Sequence, residues 1–253
     1  MRVKAVLFKS GKAAIGLIVC VLLWAMLVRA LDIEPYMLPG PERVWTAFAS
    51  KPGFFLHHAG ITAYETVLGL VLGVLAGASS AILLWTFPVT RPALLPLILV
   101  TQSLPVFAIA PILVLWLGWG LASKIVMAVL VIFFAVTSTM YDGLRRMDPG
   151  LVDLARLYRL PRFSELWMLR LPAALPALAS GIRIAAVFAP IGAIVGEWVG
   201  AKGGLAFVML HSNARVKTDE TFAALILLAV MVLLLRAAAD AFARMIVPWQ
   251  VEN

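Results

Sequence analysis

The chain contains few charged residues and almost no cysteine. Only 13% of its 253 residues are charged and 63% are hydrophobic, whereas about 25% of the residues in an ordinary soluble domain are charged. A soluble fold of this size would need a larger polar surface, so length and composition predict one membrane domain instead of two globular domains. The single cysteine, Cys20, lies inside an apolar run, which excludes a disulfide framework within the chain and a cysteine-based metal cluster.

Sequence motifs for catalysis are also absent. The three histidines, His57, His58 and His211, show no ligand spacing, so we expect no bound metal. Neither Gly-x-Ser-x-Gly nor His-Glu-x-x-His occurs, which argues against an intramembrane enzyme. The sequence has no Gly-x-x-x-x-Gly-Lys-Ser/Thr phosphate loop, so we expect no cofactor and no ATP site on this chain.

Basic residues outnumber acidic ones by 21 to 13. A basic excess can indicate nucleic-acid binding, but in a chain this apolar it is better explained by loops that face anionic lipid and the cytoplasm. We therefore expect a lipid bilayer and no nucleic acid as partner. With the N-terminus inside, the predicted cytoplasmic side holds twelve Lys and Arg residues, including Arg244 near the inner end of the last apolar run, and the external side holds six, including Lys124 near the outer end of the fourth. This bias predicts that both termini are cytoplasmic.

Long apolar runs dominate the sequence. A helix needs about 20 mostly apolar residues to cross a bilayer. Runs of this kind cover residues 13–31, 61–87, 93–117, 121–141, 173–196 and 222–247. They predict an all-α integral membrane protein with about six transmembrane helices and a core domain over residues 61–247. The remaining segments are cytoplasmic termini at 1–12 and 248–253, external loops at 32–60 and 197–221, and a long cytoplasmic loop at 142–172.

The first run has a second interpretation. Four basic residues precede it, Arg2, Lys4, Lys9 and Lys12, and a basic start followed by an apolar run also describes a secretory signal peptide. The run is long for a signal peptide, and Arg29 stands where a small-residue cleavage site would be. We therefore favour a retained helix.

The second run contains a glycine pattern. Gly69, Gly73 and Gly77 recur at every fourth residue, which places them on one helical face and predicts close approach of a neighbouring helix. The pattern has no counterpart in the later runs. A self-contained secondary transporter should show internal repeats, so this alternative is less well supported.

The third run is interrupted by Pro96, Pro105 and Pro111. Prolines loosen backbone groups that can line a cavity, so Gln102 and Ser103 are candidate residues of a translocation path. An inter-helix hydrogen bond is the alternative role for both residues.

Three charged residues in or near the runs are of interest, because charge at membrane depth is costly. Arg183 lies deep in the fifth run, too far along one helix to pair with Glu197. Its partner is therefore expected on another helix, on a second subunit or in the path. Glu197 lies at the outer end of this run, where it is a candidate contact for solute or a binding protein. Glu65 lies near the outer end of the second run, and we expect it to reach interfacial water.

The loop 142–172 predicts two short helices. Asp148 followed by Pro149 is typical of a helix start, and Pro161 ends that helix. One face is apolar and consists of Leu151, Leu154, Ala155 and Tyr158. A second helix covers about residues 163–169. The pattern alone leaves two interpretations open, a connector on the membrane surface or a helix that docks on a cytoplasmic partner.

This loop resembles the cytoplasmic signature of the permease subunits of binding-protein-dependent ABC importers. The signature reads Glu-Ala-Ala, three residues, Gly, nine residues, Ile, one residue, Leu-Pro. Asp153-Leu154-Ala155 stand at its start, Leu169 at the isoleucine and Leu171-Pro172 at its end. Arg159 replaces the glycine. Glycine there would allow a sharp turn, so either the turn has another geometry or Pro161 supplies it.

The resemblance covers nearly the whole chain. The sequence Leu38-Pro-Gly-Pro and the runs that begin at Ser103 and Gly192 resemble permeases of the nitrate, sulfonate and taurine branch. Within this branch, residues 103–150 and the run that begins at His211 look most like permeases for hydroxymethylpyrimidine, a thiamine precursor. The resemblance implies a type I importer fold and transport of a small solute, with sulfonate, taurine or nitrate as alternatives.

The family resemblance also implies partners. Members lie in the bacterial inner membrane and form a dimer of permeases, which we expect to be a homodimer here. The dimer binds two cytoplasmic ATPase subunits, which hold ATP and Mg, and it accepts solute from an external binding protein. Leu154, Ala155 and Tyr158 are then the expected apolar contact with the ATPase, flanked by Asp153 and Arg156. The full set of expected coupling residues is Asp153, Leu154, Ala155, Arg156, Tyr158, Arg159, Leu169, Leu171 and Pro172.

Overall fold

The computed structural model describes residues 2–200 and 202–249, with side chains from residue 15 onwards. Met1 and residues 250–253 of the predicted terminal segments lie outside the described residues, as do the side chains of the four basic residues before the first run. The helices are α1 Arg2–Ala30, α2 Pro41–Ser50, α3 Pro52–Thr86, α4 Arg91–Ser103, α5 Val106–Leu117, α6 Leu121–Arg145, α7 Pro149–Leu157, α8 Arg162–Glu165, α9 Leu171–Gly200, α10 Leu205–Ala214 and α11 Thr218–Ile246. The predicted all-α membrane fold is confirmed.

Four segments of the described chain are long and apolar enough to cross a membrane. They are Pro52–Thr86, Leu121–Arg145, Arg162–Gly200 and Thr218–Ile246. Helices α4 and α5 together qualify as a fifth span, although their axes are bent by 103°. The first predicted run lies in α1, whose described apolar part, Ile15–Ala30, is shorter than these four.

Several helix bounds differ from the sequence prediction. Helix α3 begins at Pro52, inside the predicted loop 32–60, and that loop also contains α2. Helix α9 continues to Gly200 and α10 follows it, so much of the predicted loop 197–221 is helical. The third run forms two helices instead of one, because the chain leaves the helical conformation at Leu104 and Pro105.

Helix α6 lies between α3 and α9 and packs extensively on both. The predicted close approach at the glycines is confirmed. A Cβ at Gly69, Gly73 or Gly77 would lie within 2.8 Å of a side chain of α6. Small residues on α9 allow the same approach from the other side, since a Cβ at Gly192 would meet the backbone of Ala128 at 2.4 Å.

The bundle has two ends that are built differently. Helices α3 and α6 end, and α9 begins, at what we call the loop end, which carries residues 146–170 between α6 and α9. At the far end, α10 folds back against α9 and α3. Helix α1 packs near this far end through Trp24, whose ring stacks on Phe222 of α11 with centroids 6.1 Å apart.

Candidate functional site

The loop end contains the two short helices that the sequence predicts. Asp148 caps α7, because its Oδ1 accepts a hydrogen bond from the Gly150 N–H at 2.7 Å, and Pro149 occupies the first helical position. A side-chain cap of this kind satisfies one of the free N–H groups at a helix start. The predicted start of α7 is therefore confirmed.

The turn after α7 has the geometry that glycine would favour, although Arg159 occupies it. Arg159 has a φ of 50°, in the left-handed region. Its N–H donates to the Arg156 carbonyl, and the Leu160 N–H donates to the Ala155 carbonyl, both at 3.0 Å. These two bonds form a Schellman motif, which glycine usually completes. Arg159 therefore forms the sharp turn that glycine would allow at this position.

The apolar residues of α7 divide between two faces. Ala155 is 5% exposed and is covered by its own subunit, whereas Leu154 and Tyr158 are 44% and 70% exposed. Leu157, which the sequence analysis did not select, is 79% exposed. Leu154, Leu157 and Tyr158 form what we call the docking face. Ala155 does not belong to it, because the turn at Arg159 brings the chain back over the Ala155 side of the helix.

The polar residues that flank this face pair with each other. Arg156 Nη1 lies 3.4 Å from Asp153 Oδ1, and both side chains are more than 70% exposed. An exposed pair of this kind contributes about 1 kcal/mol or less. Both groups remain accessible to a partner.

The second part of the loop is anchored to the bundle. Helix α8 continues into a single π-helical turn, Leu166–Arg170, before α9 begins. Leu166 is 2% exposed and packs in an apolar cluster with residues of α3, α6 and α9. Leu169 and Leu171 are half-buried and Pro172 is exposed. These three expected coupling residues thus lie at the junction with α9 and not on the docking face.

Sequence analysis did not identify Arg170, the residue that joins this loop to the helices most directly. Its guanidinium binds Glu165 and the Leu144 carbonyl of α6. The family signature leaves this position variable, and an arginine at a predicted membrane surface is common. The sequence therefore carries no signal that separates Arg170 from the other basic residues of the loop.

Two of the candidate path residues lie together where the third run breaks. Gln102 and Ser103 are exposed at the end of α4, just before the bend to α5. The Ser103 hydroxyl donates to the Val100 carbonyl at 3.0 Å, within its own helix. No bond to another helix is recorded for either side chain among the described residues. Their role in the path stays a prediction.

Arg183 is paired with another helix, one of the options that the sequence left open. Its Nε lies 2.9 Å from Asp240 Oδ1 of α11. Arg236 Nε lies 3.1 Å from the other oxygen of Asp240, and Arg236 Nη1 donates to the Arg183 carbonyl at 3.0 Å. Two guanidinium groups therefore share one carboxylate between α9 and α11.

Glu197 lies inside the subunit at the far end and is only 1% exposed. Its oxygens accept bonds from the Thr62 hydroxyl at 2.6 Å and from the Ala206 N–H at 2.7 Å. The second bond satisfies a free donor at the start of α10. A contact of Glu197 with solute or with a binding protein stays a prediction, but its bonds here hold α10 in place.

The expectation that Glu65 reaches interfacial water is wrong. Glu65 is 3% exposed and forms an ion pair with Lys124, whose side chain is 10% exposed. The sequence places both near the outer ends of separate runs, where water is available. In the fold, α3 and α6 pack against each other there and Gly196 of α9 lies against the Lys124 side chain, so the two charges are buried together.

Comparison with known proteins assigns the family. A family profile for binding-protein-dependent transport system inner membrane components matches residues 69–251. A probable ABC transporter permease protein of Haemophilus influenzae is 45% identical over 222 residues, which cover 88% of this chain and 91% of the relative. The formylaminopyrimidine transport permease protein of Halalkalibacterium halodurans is 32% identical over 248 residues, which cover 96% and 97%.

A solved structure has the same fold. An inward-facing structure of the MetNI methionine ABC transporter matches with a TM-score of 0.68 at 19% identity, over 78% of this chain and 98% of that chain. This likeness supports the type I importer fold. Together with the sequence matches, it places this chain in the family of binding-protein-dependent transport system inner membrane components, as a multi-pass permease subunit of an ABC importer and not an enzyme.

Proposed function

We propose that this chain and a second copy of it form the translocation path for a pyrimidine precursor of thiamine, such as hydroxymethylpyrimidine. An external binding protein delivers the solute, and two ATPase subunits hold the ATP and Mg that drive transport. The loop end and both termini face the cytoplasm. The basic residues of the loop support this orientation, and the lack of a phosphate loop in the sequence supports ATP binding by a partner.

The docking face is the proposed contact with the ATPase. Leu154, Leu157 and Tyr158 are exposed side by side on a capped helix, and a rigid apolar patch on a loop is typical of a protein interface. Full burial of one such side chain contributes about 1.5 to 3 kcal/mol. When ATP binding closes the two ATPase subunits, a firmly held α7 moves with them, and the bundle passes from the inward-facing to the outward-facing state.

Co-purification tests this docking. Leu154→Asp places a charge in the apolar contact, at a cost of roughly several kcal/mol, so the ATPase from the same operon should no longer co-purify. Phe163→Asp is the matched control, since Phe163 is 70% exposed on the neighbouring α8 but lies outside the docking face. The control should retain the ATPase. If Leu154→Asp bound as much ATPase as the wild-type chain, the assignment of the docking face would be contradicted.

The proposed solute rests mainly on the formylaminopyrimidine permease, which matches 96% of this chain. The polar groups near the break of the third run also suit a neutral heterocycle, because Gln102 and Ser103 offer an amide and a hydroxyl. A separate cavity of about 250 Å³ lies between α3, α4 and α6 towards the loop end. Gln102 and Ser103 do not line it, and its own polar groups come from Thr137, Ser138, Tyr141, Asp142 and Arg145 of α6.

A sulfonate is the second candidate, because the Arg183, Arg236 and Asp240 group carries one surplus positive charge. Arg236 is the more exposed guanidinium, with 40% of its side chain accessible. A group of this kind would attract an anionic solute. Against this, both guanidiniums already bind Asp240, which satisfies part of their charge.

Uptake measurements distinguish the two solutes. Cells that cannot make the pyrimidine part of thiamine should grow on low concentrations of hydroxymethylpyrimidine only when this chain, its ATPase and its binding protein are present. Excess unlabelled hydroxymethylpyrimidine should compete with labelled hydroxymethylpyrimidine, and taurine should not. Uptake of labelled taurine without uptake of the pyrimidine would replace the first candidate with the second.

A further inference from the structure

Arg170 connects the loop to the ends of two membrane-spanning helices. Its Nε and Nη2 lie 2.7 Å and 2.6 Å from Glu165 Oε1, on α8. Its Nη1 donates to the Leu144 carbonyl of α6 at 2.8 Å. The same guanidinium lies over the Trp85 ring of α3, 4.8 Å from the centroid. One side chain thus contacts three separate elements.

Two of these contacts are made at the ends of membrane-spanning helices. Leu144 precedes the last residue of α6, and Trp85 precedes the last residue of α3. Carbonyls at a helix end lack partners within the helix, so the bond to Leu144 fixes the end of α6 directly. The ring contact with Trp85 fixes the end of α3 in the same way, through the face of the guanidinium.

Burial makes these contacts firm. The side chains of Arg170 and Glu165 are 14% and 19% exposed, so water screens the pair less than it screens the exposed pair on α7. Beneath them, Leu166 fills the apolar cluster between the helix ends. Arginine suits this position because its planar, five-donor group can bind a carboxylate and a carbonyl while it stacks on a ring.

We propose that Arg170 is the positioning residue that transmits movement of the loop to the ends of α3 and α6. This inference rests on the proposed docking of the loop on an ATPase. The ATPase moves α7, the short connection through α8 carries Glu165 with it, and Arg170 passes the displacement to both helix ends. Leu166 holds the loop against the helix ends, but it does not determine the direction in which they move, because apolar packing is not directional.

The test separates docking from transmission. The chain is assembled with its ATPase in lipid nanodiscs, in a Cys20→Ser background, with a spin label on Phe87→Cys at the end of α3, where Phe87 is 55% exposed. The spectrum is recorded before and after addition of ATP and vanadate. In the parent complex, the label should report a nucleotide-dependent change. In Arg170→Gln the ATPase should still co-purify, but the change should be lost or strongly reduced.

Three further variants sharpen the result. Arg170→Lys keeps the positive charge but lacks the planar, forked guanidinium, so it should also lose most of the nucleotide-dependent change in the spectrum. Glu165→Gln keeps the contacts of Arg170 with Leu144 and Trp85 and should lose less. Arg146→Gln removes an exposed arginine from the same loop and should behave like the parent. In proteoliposomes with the binding protein, solute transported per ATP should fall roughly 2- to 30-fold in Arg170→Gln, the range seen when a coupling network is interrupted.

Two outcomes would overturn the proposal. An unchanged nucleotide response in Arg170→Gln and Arg170→Lys would show that the helix ends are moved by other contacts. Loss of ATPase binding in both variants would show that Arg170 supports docking or folding instead of transmission. If the parent complex itself fails to bind an ATPase, the proposed docking fails, which the Leu154→Asp test detects separately from any effect of Arg170.

Discussion

The far end of the bundle and helix α7 at the loop end handle polar and apolar groups in opposite ways. At the far end, charged side chains are buried against each other, as Glu65 is against Lys124, and Glu197 binds Thr62 and α10. At the loop end, apolar side chains of α7 are exposed while its polar side chains pair in solvent. These far-end contacts form within one subunit, whereas α7 presents an apolar surface that a partner would bury.

A second polar group at the far end also joins elements of the subunit, although its two lysines are about half exposed. Glu220 of α11 binds Lys51, Lys217 and Ser212, which joins the start of α3, the end of α10 and α11. The polar groups of this end therefore hold elements of the same chain together. From this difference, we expect substitutions at the far end to change the stability of the subunit, and substitutions on the docking face to change partner binding.

The largest effect on stability is expected for Lys124→Ala. It leaves the Glu65 carboxylate buried without its cation, and removal of one partner from a buried pair costs about 3 to 5 kcal/mol. For a domain of this size, the midpoint of thermal unfolding in detergent should fall by roughly 6 to 20 °C. The control is Glu65→Leu with Lys124→Met, which removes both charges and should recover most of the loss. Equal unfolding midpoints for wild type and Lys124→Ala would contradict the expectation that the buried ion pair at the far end stabilises the subunit.

Arg159→Gly is expected to have a smaller effect on stability and to raise it. Arginine at a φ of 50° is strained by about 1 to 2 kcal/mol, a strain that glycine does not have. Part of this gain is lost because glycine makes the unfolded chain more flexible, so we expect a net stabilisation of about 1 kcal/mol, or roughly 2 to 4 °C. Arg159→Ala removes the same side chain but keeps the Cβ. An equal rise for Arg159→Ala would attribute the effect to the side chain and not to the backbone.

The smallest effect on stability is expected for Leu154→Asp. Leu154 is 44% exposed, and substitutions at exposed positions usually change stability by about 0.5 kcal/mol or less. The unfolding midpoint of the isolated subunit should therefore remain within about 2 °C of wild type, although we expect the same variant to lose the ATPase. A large fall in the midpoint would mean that Leu154 supports its own subunit, and the loop end would then resemble the far end.

Local signals in the sequence were sufficient for the start of α7, because Asp148 and Pro149 act within a few residues of their own positions. The end was not predicted correctly: the helix ends at Leu157, before Pro161. The turn at Arg159 was not predictable, because an arginine gives no sign that it will adopt a glycine conformation. The burial of Ala155 depends on how the returning chain covers α7, which periodicity alone does not determine.

Ion pairs and hydrogen bonds between distant segments could not be predicted from the sequence. Glu65 and Lys124 lie 59 residues apart, and each residue taken alone is typical of the membrane surface. Glu197 was identified as unusual, but its cover, α10, lies in a stretch that was predicted as a loop. The three prolines indicated an irregular third run, yet the 103° bend depends on the packing of α4 and α5 against α6.

The glycine contacts have a mechanical consequence. Gly69, Gly73 and Gly77 bring α3 against α6, and Gly181 and Gly192 bring α9 against it from the other side. Because the glycines leave room for the side chains of Ala128, Ile132 and Val136 of α6 to fit against the backbone of α3, these three helices cannot slide past one another without overlap of atoms, so they form one stiff body. In the proposed transport cycle, we expect this body to tilt as a unit, while α1, α11 and the broken α4 and α5 pair accommodate the change.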